Sequence, residues 1–212
     1  MKFANRVAAG QLLAKTLLHF TGPKTLVLAL PRGGVPVGLE VAKILNSKFD
    51  ILVVRKIGAP GNPELAIGAV GAQGKPFLDR RLISDLGVAK NFLDAEVKRK
   101  RGEAKDRDRL LRKKRKPISQ KGKQVILVDD GLATGATAMA AASLIAKKQV
   151  TKKILAVPVA PPSTIENVRK YFDEVVVLST PFDFAAVGQF YDDFSEVSDE
   201  EIVKMLEEYP KE

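Results

Sequence analysis

Two adjacent carboxylates, Asp129 and Asp130, stand where an apolar run, residues 125–128, meets a loop of small and hydroxyl-bearing residues. The whole stretch, 124–137, reads QVILVDDGLATGAT. Four apolar and mostly β-branched residues are too few for a helix and suit a buried strand. The loop 131–135 opens an Ala-rich run, 136–148, that predicts a helix. A loop at a helix N-terminus presents backbone N–H groups and the positive end of the helix dipole, which suits a phosphate. Two carboxylates beside it suit sugar hydroxyls or a divalent cation. Together these features describe a site for a phosphorylated sugar.

Two basic spots extend the pattern. In Pro31-Arg32-Gly33-Gly34 the glycines let backbone N–H groups approach an anion, and Arg32 can grip phosphate oxygens. Arg55-Lys56 ends another apolar run. A ligand satisfying all three places carries phosphate at two separated positions with a hydroxylated unit between. Taken singly, Asp129-Asp130 reads equally as a capped strand end and Arg32-Gly33-Gly34 as a plain tight turn. Their joint placement on strand–helix units favours the binding reading. The sequence Gly131-Leu132-Ala133-Thr134-Gly135 lacks the spacing and the Lys of an ATP-binding P-loop, and no Gly-x-Gly-x-x-Gly follows a strand.

The elements that must position these residues alternate. Residues 3–20 carry a helical apolar stripe through Phe3, Val7, Leu13, Ala14, Leu17 and Leu18, broken by Gly22-Pro23. Strands are predicted over 25–30, 50–55, 124–129, 153–159 and 174–178, and helices over 35–46 and 163–171. Residues 57–63 read as a Gly- and Pro-rich loop, and 65–72 with 75–79 as a hairpin or two short strands. Ser198 with Glu201 forms a capping box for a last helix. Apolar strands alternating with helices predict an α/β fold, a doubly wound and mainly parallel sheet flanked by helices. Ligands of such sheets bind beyond the C-terminal strand ends, where the three loops would converge.

At 212 residues and 45% hydrophobic content the chain reads as a single domain, 1–212, able to bury a sizeable core. No apolar run approaches the roughly 20 residues of a membrane span, and the N-terminus has no signal-peptide apolar block. The lack of Cys excludes thiolate chemistry and fits a cytoplasmic protein. His19, the one His, reads as an ordinary helix-terminal residue. The net charge of +10 is concentrated: residues 90–123 hold fifteen Lys and Arg against five Asp and Glu, and the remainder sums to zero. Over 92–116 a sparse seam (Leu93, Val97, Ala104, Leu111) and four i,i+4 pairs predict a long, mostly solvated helix protruding as a basic arm and stopped by Pro117. The pairs are Asp94/Lys98, Glu96/Lys100, Glu103/Arg107 and Asp108/Arg112. Such an arm could bind nucleic acid, though it has almost no aromatic residues for stacking bases. It could equally be a solvated face at a homodimer edge.

VILVDDGLATGAT resembles the signature of the type I phosphoribosyltransferases, which bind 5-phosphoribosyl-1-pyrophosphate (PRPP). The order of first loop, flexible region and signature is also similar, over about residues 25–180. The resemblance implies a Mg²⁺-dependent transferase of nucleoside metabolism that moves the phosphoribosyl group to a nitrogen nucleophile. It implies that Asp129 and Asp130 contact the ribose hydroxyls and that Ala133, Thr134, Gly135, Ala136 and Thr137 cradle the 5′-phosphate. Arg32, Gly33 and Gly34 would form the pyrophosphate loop, often built on a non-proline cis peptide. Arg32 and Lys56 would carry the catalytic charge, and Mg²⁺ would bind mainly through substrate oxygens, with Asp129 and Asp130 as possible ligands. A flexible lid is expected where residues 90–123 lie, but that segment is longer and more basic than the usual lid.

Ala133 stands where the 6-oxopurine enzymes of the family usually carry Asp, so hypoxanthine or guanine is the less favoured acceptor. DDGLATGAT more resembles the adenine enzymes, whereas LPRGGVPVG, residues 30–38, resembles phosphoribosyltransferase-like proteins of undefined substrate. A C-terminal hood, 180–212, would supply base contacts, with Phe182, Phe184, Phe190 or Tyr191 stacking a base. The same aromatic residues could instead fill a core beneath the last helix. A regulator that binds PRPP without turnover fits the same residues.

Overall fold

A computed structural model describes residues 1–146 and 148–210. Five strands form one parallel sheet: β1 (Thr25–Ala29), β2 (Lys48–Ile51), β6 (Gln124–Val128), β7 (Lys152–Val159) and β8 (Glu174–Ser179). Their spatial order is β2-β1-β6-β7-β8. The central strands TLVLA and QVILV are apolar almost throughout because helices cover both faces. Alternation decides which side each residue serves. Val27 and Ala29 join one core with α1 (Arg6–Thr16) and α2 (Gly34–Ile44), whereas Leu26 and Leu28 join the other with α5 (Ala136–Ala146) and α6 (Pro162–Val168). Strand order reverses between β1 and β6, which pair in register from Thr25↔Gln124 to Ala29↔Val128. The loops leaving these two strands therefore flank one crevice, the switch point where such sheets bind ligands.

The predicted single strand over 50–55 is instead two strands in different sheets. β2 ends at Ile51, and β3 (Val54–Ala59) begins an antiparallel sheet with β4 (Asn62–Gly71) and β5 (Phe77–Leu78). The predicted loop 57–63 is the end of β3, a turn at Pro60-Gly61 and the start of β4. This hairpin holds because Ile57, Ala59, Ile67 and Val70 bury a small core of their own.

The basic segment is corrected as well. α4 (Lys90–Arg112) does not protrude: Leu93 and Val97 pack on the hairpin core, and Ala104 and Leu111 enter the main one. Of the four expected pairs, the structure forms Asp108/Arg112; Glu96 takes Arg99, Glu103 takes Arg99 and Lys100, and Arg107 takes Asp199. Arg112 is buried, with Asp50 and Asp108 as its carboxylate partners. The helix ends before Pro117, at Lys113 with φ 49°.

At the N-terminus, α1 starts at Arg6 behind an Asn5 cap, because Phe3 pairs with the hood: Phe3 N donates to Phe190 O at 2.9 Å and Asp192 N to Phe3 O at 2.8 Å. Val7 and Leu18, placed on the predicted apolar stripe, are exposed. The capping box of Ser198 and Glu201 opens α7 (Asp199–Glu208), whose Ile202 and Leu206 belong to the main core. Lys147 of the predicted helix 136–148, and residues 211 and 212 of the predicted hood, lie outside the described residues. Among the described residues no helix is long and apolar enough to cross a membrane.

Candidate functional site

Leu30 N donates to Val128 O at 2.9 Å, carrying the β1–β6 pairing one residue past β1 and bringing the two loops side by side. The peptide Pro31–Arg32 is cis, as the resemblance implied. A β-carbon on Gly33 would stand 1.8 Å from Asp130 Oδ2, and one on Gly34 would stand 2.8 Å from Val128 O. Only residues without a side chain allow this approach, so the glycines seat the first loop directly against the acidic pair.

The acidic pair is held tightly. Asp129 Oδ1 accepts the N–H of Asp130 at 2.9 Å, and Asp130 Oδ2 accepts Arg6 Nε at 2.8 Å. Arg6 also donates to Ser195 O at 2.7 Å and lies 3.9 Å from the centroid of the Phe194 ring. Burial, and next the charge of Asp130, push the Asp129 carboxyl well above the usual carboxylate range. Burial also raises Asp130, although Arg6 opposes the shift.

The loop after the pair is anchored at its ends. Leu132 N donates to Val159 O at 2.9 Å, and Thr164 Oγ1 to Ala133 O at 2.5 Å. Among the described residues, the backbone N–H groups of Ala133, Thr134, Gly135 and Thr137 have no protein acceptor, whereas Ala136 N turns to Thr134 Oγ1 at 3.4 Å. Free N–H groups at the head of a helix are able to receive an anion.

The structure brings Arg32, Gly33, Gly34, Asp129 and Asp130 together. It places Lys56 elsewhere: Lys56 lies within β3 and lines a cavity of about 560 Å³ with Phe92, Glu96 and Thr137, a cavity that Arg32 does not reach. Lys56, expected with Arg32 to carry the catalytic charge, thus shares a cavity with Thr137 of the loop after the acidic pair. Arg32 forms an ion pair with Glu196.

The hood aromatics divide. Tyr191, a base-stacking candidate from sequence, is buried; its ring sits 5.4 Å from Phe3 and 5.1 Å from Phe194, and its hydroxyl donates to Asp130 O at 2.6 Å. It supports the acidic pair and has no open face for a base. Burial and the Asp130 charge raise its ionisation far above the usual phenol value. Phe184 stacks on Phe190 at 5.3 Å, and Phe182 is 93% exposed. Sequence reasoning missed Arg6 and Glu196, whose partners lie 124 and 164 residues away in the chain, beyond any local pattern.

Comparison with known proteins agrees with this fold. A family model described as a phosphoribosyl transferase domain matches residues 4–194. The chain belongs to the phosphoribosyl transferase family. A protein of Mycobacterium tuberculosis (strain H37Rv) named "Putative phosphoribosyl transferase Rv0571c" is 42% identical over 205 residues, which cover 97% of this chain and 46% of that one. The chain thus spans about half the length of the curated relatives it matches. The crystal structure of TT1426 from Thermus thermophilus superposes with a TM-score of 0.91 at 43% identity, covering 97% of this chain and 98% of that one. The AQ2163 protein of Aquifex aeolicus shares the fold at a TM-score of 0.50 and 15% identity, covering 82% and 74% of the two chains.

Proposed function

We propose that this protein is a Mg²⁺-dependent phosphoribosyltransferase that moves the 5-phosphoribosyl group of PRPP to a nitrogen nucleophile, a nucleobase, and releases pyrophosphate. The observation that carries this reading is the seating of the Pro31–Gly34 loop against Asp129 and Asp130, beside a helix head with free N–H groups. Phosphate on one side, ribose hydroxyls at the carboxylates and a second anion at Arg32 match the three parts of PRPP.

In the reaction the bond from ribose C1 to the pyrophosphate oxygen breaks, its electron pair leaving with pyrophosphate, the nitrogen lone pair forms the new bond to C1, and the proton of that nitrogen passes to pyrophosphate or water. The chain's part is positioning and charge. The loop 133–137 fixes the 5′-phosphate, Asp129 and Asp130 hold the ribose hydroxyls, and their negative charge favours the cationic ribose of the transition state. Arg32 grips the departing pyrophosphate once Glu196 gives way, and Lys56 adds positive charge from the hairpin side. Among the described residues no cluster of three metal-ligating side chains exists, and Arg6 already engages Asp130, so the donor set fits a cation held mostly by substrate oxygens and water. When bound, Mg²⁺ neutralises pyrophosphate charge. Asp129 is the carboxylate best placed to contact it.

Calorimetry with PRPP and Mg²⁺ tests binding, and pyrophosphate release across a panel of bases tests turnover. Binding that is absent, or unchanged by Asp130→Ala, overturns the reading. Binding without release for any base leaves a PRPP-dependent regulator in its place.

A further inference from the structure

A second cavity, of about 640 Å³, opens between the end of β2, the β4–β5 turn and the stretch 117–121. It shares no residue with the loops around Asp129 and Asp130. Its size falls within the range that holds small organic ligands. Its wall is apolar where Leu52, Val53, Ile118 and Leu144 meet, and its rim is cationic through Lys75, Lys121 and Lys148.

The charges do not cancel inside. The two acids of the cavity, Asp50 and Asp108, are both taken by Arg112, and Asp50 Oδ2 also accepts the N–H of Ile118 at 2.8 Å. Among the described residues no carboxylate pairs with the three lysines. The positive charge converges on one turn. A β-carbon on Gly74 would lie 3.3 Å from Lys148 Nζ, and Arg101 Nη1 donates to Gly74 O at 2.7 Å. Gln120, which lines the same cavity, has an enclosed Oε1 with no hydrogen-bond partner. An enclosed acceptor of that kind calls for a donor from whatever enters.

We infer that this cavity is a second ligand site, for an anion with an organic ring body of nucleoside-phosphate size. The lysines and Arg101 meet its phosphate groups, the apolar wall meets its ring, and Gln120 accepts from a ring amine or sugar hydroxyl. The site is separate from the proposed PRPP pocket. An occupant would bridge β2, the hairpin sheet and the segment leading into β6, and so tie the two sheets together.

The test is calorimetric titration of the full chain with ATP, then with inorganic triphosphate. Two triple variants of equal charge change are compared: Lys75→Ala/Lys121→Ala/Lys148→Ala at the cavity, and Lys15→Ala/Lys98→Ala/Lys105→Ala elsewhere. All six lysines are exposed, so both variants should fold, which equal melting temperatures would check. ATP should bind the wild type and the Asp130→Ala variant alike, weaken about tenfold or more in the cavity variant, and change less than about twofold in the control. Gln120→Leu should weaken ATP but not triphosphate. The inference is overturned by no ATP binding, by equal losses in the two triple variants, or by loss of binding on Asp130→Ala alone, which would put the nucleotide in the PRPP pocket. Triphosphate binding as tightly as ATP overturns the ring-bearing ligand class.

Discussion

Arg6 and Asp130, 124 positions apart, meet through a 2.8 Å bond from Nε to Oδ2, and both side chains are nearly buried, at 11% and 14% exposure. Asp130 is thereby paired directly, whereas Asp129 feels the Arg6 charge only through space. Arg6→Ala should leave two neighbouring buried carboxylates without a cation. Their folded-state values would then lie further above the unfolded ones, so stability is lost as pH rises above about 4. The melting deficit of the variant should be small near pH 4 and grow toward pH 8. A deficit independent of pH would show that Arg6 acts through packing on Phe194 alone.

Removing the Asp129 charge has the opposite effect. The Asp129 carboxyl titrates higher in the folded chain than in the unfolded one, so its contribution is fully present only below the unfolded value, and stability is lost progressively as pH rises from there through the folded value. Asp129→Asn keeps the acceptor for the Asp130 N–H and should melt higher than wild type at pH 8, by about 2–4 °C for each kcal/mol recovered. PRPP binding, followed by calorimetry, should fall at the same time, a trade of stability against function.

Gly33→Ala should reduce PRPP affinity by an order of magnitude or more, because its methyl group would overlap Asp130 Oδ2 unless the two loops separate. Gly61→Ala at the hairpin tip, where an added β-carbon meets nothing within 4 Å, serves as the control. Its φ of 73° makes it destabilising but should leave affinity unchanged. Equal affinity losses in both would sink the steric account.

Glu196→Gln should strengthen PRPP binding, by no more than about fivefold, since the pair it breaks with Arg32 is solvent-exposed and such pairs contribute little. The gain should shrink at high salt. Weaker binding in this variant would mean that Glu196 aids the ligand instead of competing with it.

Arg112→Ala should lower stability by about 3–5 kcal/mol, roughly 10 °C in Tm, because it strands buried Asp50. Asp50→Asn/Arg112→Met should recover much of that loss. Denaturant melts of the three chains measure both effects.

The acidic pair, the loop 131–135 and the central strands were legible because their signals are local. An apolar run, its glycine punctuation and a capping box such as Ser198 with Glu201 each lie within a few residues. By itself the sequence determined that a parallel sheet would present Asp129, Asp130 and Arg32 at strand ends. What only the tertiary structure decided is which groups meet there. Arg6 reaches Asp130 and Glu196 reaches Arg32 because Phe3 pairs with the Tyr191 segment and brings the start of α1 and the stretch 194–196 to the crevice. Lys56 came to line a cavity with Thr137, and α4 docked instead of protruding, because the hairpin formed its own sheet and needed an apolar cover. A sparse apolar seam reads the same whether it faces water or a neighbouring sheet. Contacts between distant segments depend on how whole elements pack, and no local window of residues encodes that.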